Sequence, residues 1–287
     1  MSRAIVEVPW GPHRGTRAVL APGKVLRIGR HGDDLELPKD ARVSRTHLEL
    51  EWDGKRCLVR DRGSVTGTEI NGTKIGEAEA RSGDWIRVGD TLISVHFEGF
   101  TRRLPRPKIA GRPGTSLTRA RKKSVLEGLA SETERLYAIL DPTRSPRILG
   151  LLREAVEYSR SLYEGDEGDA LWEAAPYLVD LPDKRSRLVK ALVTEGLVRR
   201  WGIFVVSKRP FKDVRRHFRR FLMVQDEAAE RMYFRYYDPV VLRAFLPTCT
   251  PVQANEFFQE VDAFLVEGDR GELLRFTKGA SEPKVVG

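Results

Sequence analysis

Three polar stretches in the first hundred residues carry groups that could bind an anion. Arg30 follows Ile-Gly, the pair Ser44-Arg45 stands in SRTH, and the stretch DRGSVTGTEING occupies residues 61–72. An arginine offers a planar fork to phosphate, while hydroxyls and backbone N–H groups can surround the remaining oxygens. We therefore predict a phosphoryl-binding site made by Arg30, Ser44, Arg45, Ser64 and Thr66.

The elements that would position these groups are short strands. Apolar runs such as VLRIGR, HLELEW, RCLVRD and DWIRVGD recur at close spacing, and DG, NG and SG pairs that suit tight turns separate them. Gly63, Gly67 and Gly72 suit backbone conformations with positive φ. The pattern predicts an all-β sandwich whose loops carry the polar groups, with the His47 imidazole tying loops together by hydrogen bonds.

The three motifs, in this order and at this spacing, resemble the forkhead-associated (FHA) domain. The resemblance covers residues 20–97 and implies an 11-stranded β-sandwich that recognises phosphothreonine peptides through its loops. It implies phosphate contacts for Arg30 and Ser44 and a flanking polar contact for Arg45. The positions that shape the loops in this family correspond to Gly29, His47, Gly67 and Asn71.

Two positions of the third loop differ from the family's usual residues. Val65 stands where many members have a serine or threonine that donates to the phosphate, and Thr66 replaces the asparagine that grips the peptide backbone. A lost charge-assisted hydrogen bond costs about 1.5–3 kcal/mol, or roughly ten- to a hundred-fold in affinity. We expect weaker binding, or a different preference for the residue after the phosphothreonine.

The charge of the chain is concentrated in one segment. The net charge is +9, and residues 101–123 contain nine Lys or Arg and no Asp or Glu, so the remainder is formally neutral. The segment also carries three Pro and two Gly, which is typical of an exposed linker. We predict a β-sandwich at 1–98, a basic linker at 99–130 and a second domain at 131–287.

The second half alternates apolar runs with helix-like segments. This alternation predicts an α/β (α+β) domain with some parallel strand pairing. Helices are predicted to begin at Ser145-Pro146 and at Asp238-Pro239, where a capping residue precedes a proline. A third helix is predicted to begin near Pro210. The third is amphipathic and carries arginines opposite its apolar face, at Arg215, Arg216, Arg219 and Arg220.

The second half resembles a bacterial family known as domain of unknown function 4123 (DUF4123). The matching stretches include YAILD, APYLVDL, WGIFVVS and FRYYDPVVLRAFL, and they span about residues 135–250. The resemblance implies a type VI secretion adaptor, or chaperone, that holds an effector and helps load it onto the valine-glycine repeat spike protein. This resemblance implies an effector and the spike protein as partners. The FHA resemblance adds a phosphothreonine-containing protein and the Ser/Thr kinase that would modify it.

The second half contains no motif for catalysis. There is no nucleophile elbow, P-loop, dinucleotide fingerprint or HExxH, so we expect no enzyme activity, no cofactor and no metal. His217 is expected to be solvated or packed. The four arginines of the third helix could bind an acidic partner, or could form a solvated face paired with neighbouring carboxylates. Trp201, Tyr236 and Tyr237 could anchor an interface or lie in the core.

Two functions remain open at this point. The first is a secretion adaptor that depends on threonine phosphorylation. We expect it in the cytoplasm, because the N-terminus has no secretory signal and no apolar run approaches the roughly 20 residues needed to cross a bilayer. The alternative is a phosphorylation-dependent regulator that binds nucleic acid through the basic linker. The linker lacks aromatic residues for base stacking, which disfavours nucleic acid as a partner.

Overall fold

The computed structural model describes residues 2–8, 13, 15–31, 33–99, 118–163, 173–225, 231–280 and 282–286. The chain divides into two compact units, Met1–Pro105 with Arg153–Val156, and Arg106–Leu152 with Glu157–Gly287. Most of the predicted basic linker, residues 100–117, lies outside the described residues.

The first unit is a β-sandwich of eleven described strands. One sheet has the order β2-β1-β11-β10-β7-β8, and the other has the order β4-β3-β5-β6-β9. The strands are β1 Ala4–Glu7, β2 Arg17–Leu20, β3 Lys24–Gly29, β4 Leu35–Glu36, β5 Leu48–Trp52, β6 Cys57–Asp61, β7 Thr68–Ile70, β8 Thr73–Ile75, β9 Glu77–Ala80, β10 Trp85–Val88 and β11 Thr91–Phe97.

Alternating side chains build the core of this sandwich. In β5, Leu48, Leu50 and Trp52 are fully buried and their neighbours are part-exposed, as the period of two in LELEW requires. The Trp52 ring lies 4.4 Å from that of Phe97, so the two sheets meet between β5 and β11. The predicted all-β sandwich is therefore confirmed.

The second unit is built on a seven-stranded sheet of order β13-β14-β12-β15-β18-β19-β20, with a separate pair β16-β17. Every strand pair described in this unit is antiparallel, so the predicted parallel pairing was wrong. Alternation of strands and helices in sequence does not fix strand direction, because a connecting helix can return the chain at either end of a sheet. The strands are β12 Arg135–Leu140, β13 Ser159–Ser161, β14 Tyr177–Asp180, β15 Gly202–Ser207, β16 Met223–Gln225, β17 Arg231–Tyr233, β18 Ala263–Glu267, β19 Leu273–Thr277 and β20 Lys284–Val286.

The helices begin where their caps predict. Asp238 accepts a hydrogen bond of 2.9 Å from the backbone N–H of Val240, and the helix starts at Pro239. Ser145 likewise accepts from the N–H of Arg147, before a helix that starts at Pro146. Both predicted starts are confirmed. The described α-helices are α1 Arg119–Ser131, α2 Pro146–Glu154, α3 Arg187–Ala191, α4 Phe211–Arg219, α5 Pro239–Phe245 and α6 Pro251–Phe257.

Helix α1 occupies the last part of the segment predicted as linker. Thr118 caps it by accepting a hydrogen bond of 3.2 Å from the N–H of Arg121. Val125 and Leu129, four residues apart on one face, are fully buried. The helix was not predicted, because residues 119–123 are almost all basic and the apolar pair lies just beyond them.

Candidate functional site

Backbone hydrogen bonds bring three loops of the first unit together. The N–H of Arg30, after β3, donates to the carbonyl of Ser44, before β5, at 2.9 Å. The N–H of Arg62, after β6, donates to the carbonyl of His47 at 2.9 Å. The three sequence motifs therefore lie side by side at one end of the sandwich.

His47 joins two of these loops through its side chain. It is fully buried, its Nδ1 accepts from the N–H of Ser44 at 3.1 Å, and its Nε2 lies 3.1 Å from the carbonyl oxygen of Gly67. Because Nδ1 is an acceptor, the proton must be on Nε2, which then donates to Gly67. The neutral imidazole thus braces the loops.

Two glycines allow the loops to approach each other. A Cβ atom at Gly29 would collide with the carbonyl oxygen of Arg45 and with the carboxylate of Asp33. Gly67 has φ +79, a left-handed conformation that disfavours residues with a Cβ atom. At these positions glycine is a geometric requirement.

Ser44 faces the third loop with its hydroxyl. The backbone N–H of Val65 donates to Oγ of Ser44 at 3.0 Å, so the hydroxyl is an acceptor in this contact and keeps its own proton to donate elsewhere. The side chain of Val65 is 91% exposed. A ligand that reaches Ser44 would therefore meet an apolar side chain beside it.

The arginines supply positive charge to the same loops. The Arg30 guanidinium donates from Nη1 to the carbonyl oxygen of Ala41 at 3.3 Å and is partly exposed, while Arg45 is exposed. Arg42, on the loop between them, is already paired with Asp90 at 3.0 Å. Arg30 is thus oriented by a neutral acceptor and retains donors for an anion.

Ser64 has an internal role that differs from the predicted one. Its hydroxyl donates to Oδ2 of Asp61 at 2.6 Å, and the same oxygen accepts from the hydroxyl of Thr68 at 2.7 Å. Burial tends to raise the pKa of Asp61, but the hydrogen bonds from Ser64 and Thr68 outweigh it and the pKa is lowered. The single hydroxyl proton of Ser64 is thus directed to Asp61 in this structure, and its phosphopeptide contact stays a prediction.

Thr66 and Asn71 also form bonds within the domain. Thr66 donates from Oγ1 to the carbonyl oxygen of Arg42 at 3.3 Å, and its lone pairs remain available to accept. Asn71, at φ +50 in the β7–β8 turn, accepts from the N–H of Trp85 and donates to Asp84, both at 2.9 Å. Asn71 therefore fixes a turn.

The basic helix of the second unit does not present its four arginines as one open surface. Arg215 donates to the backbone carbonyl of Ser161 at 2.9 Å, and Arg216 pairs with Asp213 at 2.7 Å. Arg220 donates to Oε1 of Gln259 at 3.2 Å, and Arg219 is half-buried. Intradomain acceptors thus engage Arg215, Arg216 and Arg220, and the partner-binding surface stays a prediction.

His217 and the aromatic side chains belong to the core. His217 is 1% exposed, its Nε2 lies 3.0 Å from the carbonyl oxygen of Phe257, and burial lowers its pKa to about 4. Tyr236 is fully buried and donates from its hydroxyl to the carbonyl of Phe218 at 2.9 Å, and Trp201 is 2% exposed. None of these side chains is placed to anchor a partner.

Metal and membrane sites are not found in the part of the chain that the structure describes. Among those residues no three His, Cys, Asp or Glu side chains cluster as metal ligands would. No described helix is both long and apolar enough to cross a bilayer.

Asp61 organises the third loop, a role that was not predicted from the sequence. Its carboxylate accepts from the N–H and the hydroxyl of Ser64, a turn in which an aspartate binds the residue three positions on. The signal was present in the letters DRGS at residues 61–64. No sequence pattern predicts the hydrogen bond from the Val65 N–H to Ser44, because the two residues are far apart in sequence.

Two protein-family models match separate segments of the chain. The model of the FHA domain matches residues 26–89. The model described as "Domain of unknown function (DUF4123)" matches residues 136–256.

Individual relatives match the first unit. FHA domain-containing protein FhaA of Mycobacterium tuberculosis is 44% identical over 71 residues, which are 24% of this chain and 13% of FhaA. The glycogen accumulation regulator GarA of Mycolicibacterium smegmatis is 34% identical over 86 residues, 30% of this chain and 54% of GarA. The solved FHA domain of an Arabidopsis thaliana hypothetical protein is 30% identical, with a TM-score of 0.32 over 34% of this chain and 86% of that chain. The match thus spans about half of GarA and a smaller part of FhaA.

Proposed function

We propose that this chain, which carries an FHA domain followed by a DUF4123 domain, is a non-enzymatic type VI secretion adaptor controlled by threonine phosphorylation. The FHA domain binds a phosphothreonine on a partner protein that a Ser/Thr kinase has modified. The DUF4123 domain holds an effector and helps load it onto the valine-glycine repeat spike protein. Both steps take place in the cytoplasm.

The convergence of Arg30 and Ser44 supports the phosphothreonine half of this proposal. The N–H of Arg30 bonds the carbonyl of Ser44 at 2.9 Å, so both side chains leave adjacent points of one surface. One supplies a partly exposed guanidinium and the other a hydroxyl whose proton is not used by Val65. Charge together with a directed donor is the combination that a phosphate dianion requires.

The adaptor half is supported by the DUF4123 match and by the character of the domain's polar groups. The match covers residues 136–256, most of the described sheet and helices. Within the described residues of that range, the histidine that could act as a base, His217, is buried, donates to a backbone carbonyl and has a lowered pKa. Binding without reaction chemistry is the function that fits such a domain.

Phosphothreonine binding is tested with an immobilised degenerate peptide library in three forms, carrying phosphothreonine, phosphoserine or unmodified threonine. The full chain should retain only the phosphothreonine form, and Arg30→Ala should lose that retention. Arg87→Ala is the matched control, because Arg87 is an exposed arginine of the same domain that pairs with Glu69 at 3.7 Å. Equal retention of all three forms would refute this half of the proposal.

The adaptor role is tested separately by co-purification from the native host. The tagged full chain and the tagged Arg30→Ala variant should both recover an effector and the spike protein when the secretion genes are expressed. Failure of both variants to recover either protein would end the adaptor proposal while leaving the phosphothreonine result intact.

A second candidate function rests on the start of helix α1. Its first five residues include Arg119, Arg121, Lys122 and Lys123, and no acidic residue stands in the first turn. Basic residues at the positive end of a helix dipole are unfavourable unless an anion is bound. Nucleic acid would be such an anion. A gel-shift assay at physiological salt distinguishes this function from the adaptor role. If the chain binds nucleic acid here, the full chain should shift the probe and a chain without residues 101–123 should not. If the chain is only an adaptor, neither should shift it.

A further inference from the structure

The side chain of Lys74, on β8, lies across the end of the third loop. A Cβ atom at Gly67 would collide with Cε of Lys74 and would lie 2.9 Å from its Nζ. Gly67 is the last residue before β7, and its carbonyl oxygen lies 3.1 Å from Nε2 of His47. The Lys74 ammonium is therefore placed beside a residue that is itself fixed to the second loop.

Lys74 has no anionic partner among the described residues of its domain. It stands directly opposite Glu69 in the β7–β8 pair, a position where opposite charges usually interact. Glu69 pairs instead with Arg87 of β10, at 3.7 Å between Oε2 and Nε. Lys74 is exposed, and within the part of the chain that the structure describes no hydrogen bond or ion pair engages its ammonium. Its positive charge is available to a ligand.

The Lys74 ammonium and the Ser44 hydroxyl lie at the same loop. The N–H of Val65 donates to Oγ of Ser44 at 3.0 Å, and Gly67 follows Val65 by two residues. Two residues of extended chain span at most about 7 Å, so the ammonium lies within roughly 15 Å of the hydroxyl. An extended peptide covers this distance in about four residues. One short peptide can therefore reach both groups.

We propose that Lys74 is a specificity-determining residue of the peptide site, and that it binds the carboxylate of an aspartate or glutamate within about four positions of the phosphothreonine. This inference rests on the proposed phosphothreonine binding by the first unit and adds a second charge that the partner must carry. Arg30 and Ser44 bind the phosphate, while Lys74 binds the carboxylate beside Gly67.

A lysine is suited to this role because its ammonium is a compact charge on a flexible stem with three donors. It can follow a carboxylate whose position differs from one peptide to another. An exposed ion pair changes affinity by roughly two- to five-fold. Lys74 therefore selects among phosphothreonine peptides, whereas Arg30 and Ser44 make the binding itself depend on phosphate.

A phosphothreonine peptide library tests the proposal. The full chain is immobilised, the library is degenerate at about four positions on either side of the phosphothreonine, and the retained peptides are sequenced. Aspartate or glutamate should be enriched about two- to five-fold at one or more of these positions. The enrichment should disappear with Lys74→Gln and persist with Lys74→Arg, which keeps the charge.

Lys55→Gln is the matched control. Lys55 is an exposed lysine in the β5–β6 turn, at the end of those strands away from the three loops, so the variant changes net charge equally. It should keep the acidic enrichment. Loss of the enrichment in both glutamine variants would overturn the role of Lys74, because net charge alone would then explain it.

A double-mutant cycle locates the contact. The best retained peptide, and the same peptide with its acidic residue changed to the corresponding amide, are measured by fluorescence anisotropy against the wild type and Lys74→Gln. Each single change should weaken binding about two- to five-fold, and the two together should weaken it no further. Losses that multiply would show that Lys74 and the acidic residue do not meet, which would overturn the proposal.

The library also separates this inference from the function on which it rests. Retention of phosphothreonine peptides without acidic enrichment, or with equal enrichment in the wild type and Lys74→Gln, would overturn the role of Lys74 and leave phosphothreonine binding intact. Failure of the wild type to retain any phosphothreonine peptide would overturn both.

Discussion

The backbone N–H of Val65 donates a hydrogen bond of 3.0 Å to the hydroxyl oxygen of Ser44. This contact ties the third loop to the second and leaves the Ser44 proton directed away from Val65. The serine thus has two roles, as an acceptor that positions a loop and as a donor available to a phosphate.

Ser44→Ala should remove both roles. We expect phosphothreonine peptide affinity to fall about ten- to a hundred-fold, because a hydrogen bond to a charged group contributes about 1.5–3 kcal/mol. Fluorescence anisotropy with the best peptide from the library measures the change. Ser82→Ala is the matched control, since its hydroxyl also accepts a backbone N–H, that of Phe97 at 3.0 Å, outside the three loops. Unchanged affinity for Ser44→Ala would exclude Ser44 from the phosphate site.

Val65→Thr should strengthen binding. The side chain is 91% exposed, so the substitution adds a hydroxyl beside Ser44 without disturbing the core. One new hydrogen bond to the phosphate corresponds to a gain of roughly ten-fold or more in the same assay. Val25→Thr, at a 44% exposed valine of β3, controls for a general effect of added polarity. A gain in both variants, or in neither, would contradict a phosphate contact at position 65.

Asp61→Asn should destabilise the first domain and alter its response to acid. The folded pKa of Asp61 is lowered, so its ionised form stabilises the fold above the unfolded value of about 3.9, and this contribution is lost as pH falls through the folded pKa. The variant should lose about 1–3 kcal/mol at neutral pH and show less dependence on pH between about 2 and 4. Thermal melts across that range measure both effects. Asp90→Asn, at an exposed aspartate that pairs with Arg42, should match the wild type within about 0.5 kcal/mol.

Gly29→Ala should disrupt the loop packing. The added Cβ would collide with the carbonyl oxygen of Arg45, which is backbone and cannot move without shifting the second loop. We expect a loss of about 1–3 kcal/mol in unfolding free energy, measured by denaturant titration. Gly76→Ala is the control, because its Cβ would meet no heavy atom within 4 Å. An equal loss in the two variants would show that the effect is not steric.

Local patterns fixed much of the architecture from the sequence. The alternation in LELEW predicted a half-buried strand, and Leu48, Leu50 and Trp52 are the side chains that point inward. The pairs Ser145-Pro146 and Asp238-Pro239 predicted helix starts, because a cap and a proline satisfy or remove the free N–H groups of a first turn. The spacing of the three loop motifs predicted that Arg30 and Ser44 belong to one site.

Only the tertiary structure decided how the polar side chains use their hydrogen-bonding groups. Ser64 turned inward to Asp61, and Arg215 bound the carbonyl of Ser161, although both residue types suited a ligand. Glu267 and Val198 meet across 69 positions of sequence, and the antiparallel directions of β12 and β15 depend on similarly distant contacts. Periodicity and capping are properties of neighbouring residues. A hydrogen bond between distant residues exists only once the fold has brought donor and acceptor within about 3 Å of each other.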